Sequence, residues 1–381
     1  ISIVLSLTAH PVAVECPSPG TSKNSKSQTM KRREYILLSA ALLIAFTSCD
    51  KSNPELVNES DRIDFVATPF HESFIQATQA RGSETRNDNI QNFGVYAYYT
   101  VDDFIPESST PNFMCNTQVE KVNGQWTYNP LMFWPNSGKL SFFAYSPHAN
   151  QGDSHTSLSS TPSTTGYPQL TYTVPDDVIS QQDLLVSIPL LNQTKTAMNA
   201  DGKLPLRFKH TLACLTFKAK MTDACNFPVK VTAITLGNFK NKASLSYTYN
   251  PDGQETTYTW IPSEDAKNKS YSLSIGNSLL INTDLKAITS QYTSITSTNS
   301  YLMLLPQAID EEDYIEITVL YDQAESPETR KTIVPLKNLI KSLDSGKRYS
   351  INILVSALSE ITLTYEVAAW TETPVDIPSF N

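Results

Sequence analysis

Leu140-Ser141-Phe142-Phe143-Ala144-Tyr145 is the stretch on which the fold is decided. Successive side chains of a strand point to opposite faces. Leu140, Phe142 and Ala144 therefore share one face, and Ser141, Phe143 and Tyr145 the other. Both faces carry large apolar groups, which predicts a strand buried on both sides. The same period of two recurs outward in both directions. Upstream it joins Phe93, Val95, Ala97 and Tyr99, and before them Ile63, Phe65 and Ala67. Downstream it joins Leu215, Phe217 and Ala219, then Ile315, Ile317, Val319 and Tyr321, then Ile351, Ile353 and Val355. The last run sets Ile361, Leu363, Tyr365 and Val367 against Thr362, Thr364 and Glu366. Strands at this density, broken by Pro and Asn, predict an all-β chain of β-sandwiches rather than a parallel α/β sheet. Leu336, Leu339, Ile340 and Leu343 have helical spacing, with Gly346 placed to stop a short helix.

Breaks between runs divide the chain. Residues 146–169, rich in Ser, Thr, Pro, Gly and Asn, predict a long exposed loop. A second polar break covers residues 192–203, and a fresh apolar run starts at Leu204. The expected domains are 61–203 and 204–381.

The N-terminal part has a different character. Lys31, Arg32 and Arg33 follow the first methionine, Met30. An apolar run from Tyr35 to Phe46 comes next, then Thr47, Ser48 and Cys49. A basic start, a short apolar core and small residues before a cysteine make a bacterial lipoprotein signal, with the lipid carried on the Cys49 thiol. The run falls short of the roughly 20 residues that span a bilayer. The signal peptide is expected at 30–48, with residues 1–29 an upstream extension and 49–60 a polar tether.

The 29 basic and 38 acidic residues leave a net charge of −9. That disfavours a nucleic-acid partner, which calls for a basic face. Beyond Cys49 the chain has Cys115, Cys214 and Cys225, an odd number that does not suggest a disulfide framework. Cys214 lies in an apolar run and reads as a buried thiol, although a Cys214–Cys225 bridge stays open. His71, His148, His155 and His210 show no metal-ligand spacing, and His210 reads as a structural histidine. There is no glycine-rich phosphate loop and no nucleophile elbow. Asp310-Glu311-Glu312-Asp313 lacks calcium-loop spacing and predicts a solvated turn before a strand starting at Tyr314. No enzymatic activity, metal or cofactor is expected apart from the lipid on Cys49. Trp126, Tyr128, Phe133, Trp134, Phe142, Phe143 and Tyr145 fall close together and predict sandwich core rather than a sugar-stacking surface.

A set of segments in fixed order is similar to the fimbrillin family of Bacteroidales, the type V pilin-like lipoproteins, and in particular to its Mfa-like branch. Phe93-Gly94-Val95-Tyr96-Ala97-Tyr98 resembles the family's early core strand. Trp126-Thr127-Tyr128-Asn129-Pro130, Phe133-Trp134-Pro135 and the run from Leu140 to Pro147 form the most specific block. Gln182-Asp183-Leu184-Leu185, Phe208-Lys209-His210-Thr211-Leu212-Ala213, Leu305-Pro306-Gln307, Gly346-Lys347-Arg348-Tyr349 and Trp370 complete the order.

The resemblance implies two tandem transthyretin-like β-sandwiches after the lipoprotein signal. It implies export to the outer membrane, where an arginine-specific protease cuts after the first strand and another subunit's C-terminal strand fills the groove. On this chain the removable strand would be Arg62–Ala67, with Ile63 and Phe65 filling pockets. The cut would fall at Arg86, or alternatively at Arg81. Val375 and Ile377 would form a short donor strand, and Pro374 and Pro378 beside them cannot donate ladder bonds. Implied partners are other fimbrial subunits of the same or of tip, shaft or anchor type, the outer membrane through the lipid, and a host or bacterial surface receptor. The alternative function is a monomeric surface lipoprotein that binds a glycan or host ligand, a reading that loses its main support if Trp126, Trp134, Tyr167 and Trp260 are all buried.

Overall fold

In a computed structural model, which describes residues 59–68, 90–250, 255–297, 300–357 and 361–370, the chain is all-β. Its first half contributes β1 (Asp64–Thr68), β2 (Asn92–Thr100), β3 (Met114–Val122), β4 (Gln125–Thr127), β5 (Lys139–Ser146), β6 (Thr156–Leu158), β7 (Leu170–Thr173), β8 (Leu185–Ser187), β9 (Leu190–Gln193) and β10 (Lys203–His210). Its second half contributes β11 (Ala213–Met221), β12 (Val229–Lys240), β13 (Lys242–Asn250), β14 (Glu255–Pro262), β15 (Asn268–Ser274), β16 (Thr293–Ser294) and β17 (Leu302–Leu304). It continues with β18 (Gln307–Ala308), β19 (Tyr314–Tyr321), β20 (Glu328–Pro335), β21 (Ser342–Leu343), β22 (Lys347–Val355) and β23 (Thr362–Ala369).

β5 lies inside an eight-stranded sheet ordered β1-β10-β8-β5-β2-β3-β4, with β9 also on β5. Its two faces serve two cores. Leu140, Phe142 and Ala144 join Phe93, Val95 and Ala97 in one cluster. Phe143 and Tyr145 join Tyr96 and Tyr98 in the other. Gly94 permits this packing, because a Cβ there would lie 2.4 Å from a Tyr145 ring carbon. Asn123 and Gly124, both at positive φ, close the β3–β4 hairpin, as a two-residue turn requires.

The second sandwich sets β16-β11-β22-β23, with β17 on β11, against β15-β12-β19-β20. Phe217, Ile351 and Ile353 of the first layer and Ile234, Leu273 and Ile317 of the second are fully or almost fully buried. A four-stranded sheet, β14-β13-β7-β6, draws β6 and β7 from the first half and β13 and β14 from the second. Phe143 and Tyr247 meet across it with ring centroids 5.8 Å apart. The Tyr96 face of the eight-stranded sheet therefore shares one core with the second half.

Several expectations are corrected. Leu336 to Leu343 forms no α-helix: a single 3₁₀ turn, Leu336–Asn338, is followed by β21, which pairs with β18. Leu336, Ile340 and Leu343 are still buried, so the spacing reported burial rather than helix. The loop at 146–169 contains β6, an edge strand on β7. β10, expected to open the second domain, pairs with β8 and β1 in the first sheet, so that sheet runs to His210. Asp310, Glu311 and Glu312 form the expected exposed turn before β19, and only Asp313 departs from it, at 3% exposure and accepting from the Asp310 backbone N–H at 2.7 Å. Cys115, Cys214 and Cys225 are not joined by disulfides to one another, and no Cys214–Cys225 bridge forms.

His148, following β5, carries a testable charge effect. Its Nε2 lies 3.3 Å from the Asn116 carbonyl and its ring stacks on Tyr145. Burial holds its pKa below the usual 6.5, opposed in part by the Asn116 contact. The unfolded chain therefore takes up a proton that the folded chain refuses. This contribution leaves stability intact above about pH 6.5 and lowers it as pH falls further, by at most about 1.4 kcal/mol per pH unit. Urea midpoints at pH 7.5 and 5.5 should fall further in the parent than in His148→Asn. Equal pH slopes would sink the assignment.

Candidate functional site

Among the described residues, no group of His, Cys, Asp and Glu is arranged to hold a metal ion. No helix among them is long and apolar enough to cross a membrane. The feature that stands out is the seat of the first strand.

β1 is an edge strand, parallel to β10, with Phe65 opposite Leu204 and Ala67 opposite Leu206. Its alternation places Ile63 and Phe65 inward, at 0% and 2% exposure. Phe65 sits edge-on to Phe93 and Phe142, with centroids 6.2 and 6.0 Å away, and is tilted against Tyr128 at 5.5 Å. Burying side chains of this size stabilises by about 1.5–3 kcal/mol each.

The leading residues are held on a second side. Ile63 N–H donates to the Met132 carbonyl at 2.9 Å, and Trp134 N–H donates to the Asp61 carbonyl at 2.7 Å. Arg62 thus bridges antiparallel to Phe133 while the following residues run parallel to β10. The Tyr128 hydroxyl donates to the Ile63 carbonyl at 2.6 Å and accepts from Met132 N–H at 3.2 Å. Burial, the largest influence, pushes the Tyr128 phenol up to about 12. Met132–Trp134 and Tyr128 together form a clasp over the start of the strand.

Outside the clasp lies a charged fringe. The Arg62 guanidinium donates to both Asp64 oxygens, at 3.0 Å from Nε and 2.8 Å from the terminal nitrogen. These bonds raise the Arg62 pKa. Lys195 pairs with Asp61. Half-exposed pairs of this kind contribute about 0–1 kcal/mol, so burial and backbone bonds dominate the seat. Tyr128→Phe should lower stability by about 1–2 kcal/mol, because a buried carbonyl loses its donor. An unchanged urea midpoint would remove Tyr128 from the clasp.

Of the residues singled out from sequence, Arg62, Ile63, Phe65 and Ala67 meet on this strand. Cys49, Arg81, Arg86, Val375 and Ile377 lie outside the described residues. Tyr128 and Trp134 were legible only as core aromatics. The period-two run Leu204, Leu206 and Phe208 was the sequence signal for the strand beneath β1.

The sequence matches the fimbrillin-like family over residues 78–370. The chain belongs to the fimbrillin-like family. Membership implies association with other fimbrial subunits at the cell surface, and the family is non-enzymatic. No curated protein matches the sequence. Among solved structures, a fimbrial protein from Bacteroides vulgatus is 20% identical, covering 81% of this chain and 99% of that one, with a TM-score of 0.60. A candidate cell-adhesion protein from Bacteroides uniformis is 16% identical, covering 82% and 100%, with a TM-score of 0.49. The first of these likenesses supports the all-β architecture of this fimbrillin-like chain.

In this fimbrillin-like chain the four aromatics considered for sugar binding are packed against neighbours. Trp134 and Trp260 are buried at 6% and 7% exposure, and Trp126 and Tyr167 are half-buried. Trp126 packs edge-on to Phe93 at 4.9 Å, and Tyr167 stacks on Tyr247 at 5.9 Å. A sugar-stacking platform of these four residues is not available.

Proposed function

We propose that this chain is a structural or adhesive subunit of a surface fimbria, assembled by strand exchange. Export uses the signal at 30–48, and the lipid on Cys49 ties the precursor to the outer membrane through the tether at 49–60. An arginine-specific protease then cuts at Arg86, or at Arg81. The segment that leaves carries the lipid, the tether and the strand Arg62–Ala67. The precursor's domains are 61–203 and 204–381, with β10 reaching back to the first sheet, and cleavage takes the residues up to the cut from the first of them.

One observation carries the reading. The earliest described strand lies at a sheet edge, yet supplies Ile63 and Phe65 to the centre of a core. Its removal would open an apolar groove lined by Phe93, Tyr128, Phe142 and Leu204, beside an unpaired ladder on β10. A strand from another subunit can satisfy both needs, with main-chain bonds for the ladder and alternate side chains for the pockets. Val375 and Ile377 are the donor positions, short as that segment is between its prolines. A surface receptor on a host or bacterial cell is the expected target of the assembled fimbria. The glycan-binding alternative is weakened, since Trp134 and Trp260 are buried and Trp126 and Tyr167 half-buried. The test is digestion with an arginine-specific protease followed by sizing of the product. A chain that stays intact and monomeric would overturn the strand-exchange reading.

A further inference from the structure

At the end of β10, three side chains converge at one joint. Asp183 precedes β8, His210 ends β10, and Trp370 follows β23. The His210 and Trp370 rings lie parallel, with centroids 4.2 Å apart and an interplanar angle of 5°. Nδ1 of His210 is 2.7 Å from a carboxylate oxygen of Asp183, a residue with no exposed surface. This contact holds the imidazole through its Nδ1 edge. Trp370 is 3% exposed.

The backbone around the stack is tied as closely. Trp370 N–H donates to the Gly346 carbonyl at 2.7 Å, and Gly346 N–H donates to the Leu212 carbonyl at 3.0 Å. The Thr211 carbonyl accepts from Trp260 Nε1 at 2.7 Å and from the Ser345 hydroxyl at 2.9 Å. Gly346 is at positive φ, and a Cβ there would come within 3.1 Å of the His210 carbonyl.

The strand that ends at this joint is held differently from the rest of the sheet. β23 is the edge strand on β22. Of its residues only Leu363 is even half-buried, and its apolar members Tyr365 and Val367 are 39% and 47% exposed. The β22 residues opposite these two, Ile351 and Tyr349, are buried. β23 thus gains little from side-chain burial, and its ladder bonds are open to water on one side. Segments with few buried apolar contacts open first. The fully engaged group nearest its end is Trp370.

We infer that Asp183, His210 and Trp370 form a latch that retains β23 on its sheet. Asp183 orients the imidazole, the imidazole supplies the flat surface, and Trp370 docks on it. The first half of the chain thereby governs whether the last described strand of the second half stays paired.

Hydrogen exchange on the full-length chain tests this, comparing peptides from β23 with those from β22, β11 and β2. Trp370→Ala and His210→Ala should each speed exchange in β23 by about tenfold or more, with the other strands unchanged. The double variant should be no faster than either single variant, because each removes the same stack. Should an alanine variant fail to fold, Trp370→Phe and His210→Gln make the same comparison, with a smaller acceleration confined to β23. Unchanged β23 exchange in the single variants overturns the latch. A rise shared by all strands also overturns it, since that reports general destabilisation.

Discussion

Phe65→Ala should lower stability by about 3–5 kcal/mol, the range for deleting a buried aromatic side chain. The ring is 2% exposed and contacts Phe93, Tyr128 and Phe142 on three sides. Those neighbours are themselves fixed by the sheet, so the hole left by the ring closes poorly. For a domain whose total stability is about 5–15 kcal/mol, this loss is severe. Phe65→Leu should cost less, since it keeps most of the volume. Val66→Ala, on the outward face of the same strand, should stay within about 1 kcal/mol. Urea unfolding of the three variants separates pocket filling from strand propensity. A Phe65→Ala midpoint close to that of Val66→Ala would mean that β1 is not an integral part of the core.

What was legible in the sequence depended on where each strand's information lies. β2, β5, β19 and β22 announce themselves by alternation, because burial on one or both faces writes a period of two into the chain. β5 was even legible as buried on both faces, and its two sets of side chains do enter two cores. The 3₁₀ turn at Leu336–Asn338 was misjudged for a related reason. Leu336, Ile340 and Leu343 all reach the core, and a turn followed by a short strand buries them as well as a helix would. Pairing partners were less legible than strands. β10 reads as the start of a new domain because a polar break precedes it, yet its hydrogen bonds go backwards to β8 and β1. Nothing local in Lys203–His210 encodes that choice, since it is made by tertiary contacts.

The candidate site was half legible. Ile63, Phe65 and Ala67 mark the inward face of the first strand by spacing alone. The clasp was invisible, because it consists of backbone bonds between Asp61–Ile63 and Met132–Trp134 and one hydroxyl on a residue classed with the core. The Asp183–His210–Trp370 stack shows the same limit. His210 was legible as a structural histidine, but its partners come from positions 27 residues before it and, for Trp370, from the far end of the described chain.

The geometry of the seat makes the outcome of cleavage at Arg86 specific. While the chain is intact, the covalent connection keeps β1 beside its groove at a high effective concentration, and a cut removes that advantage. A cut converts that attachment into a bimolecular one, held by the β10 ladder, the clasp, Ile63 and Phe65. At micromolar protein the strand should then leave slowly, with the clasp setting the delay. On the proposed strand exchange, a donor from one subunit entering the vacated groove of the next would make a head-to-tail contact that does not close on itself, so assemblies should grow as open fibres. Incubation with an arginine-specific protease should therefore give a chain beginning at residue 87 or 82, read by mass spectrometry, and then a series of oligomers. Arg81→Gln with Arg86→Gln should keep the strand covalently attached and the protein monomeric. An excess of a synthetic peptide covering residues 61–68 should suppress the oligomers by refilling the groove. Tyr128→Phe should shorten the delay between cutting and assembly without changing the cut. If the cut chain loses its strand and stays monomeric, the groove is not an acceptor. If the double variant assembles as readily as the parent, release of the first strand is not the trigger.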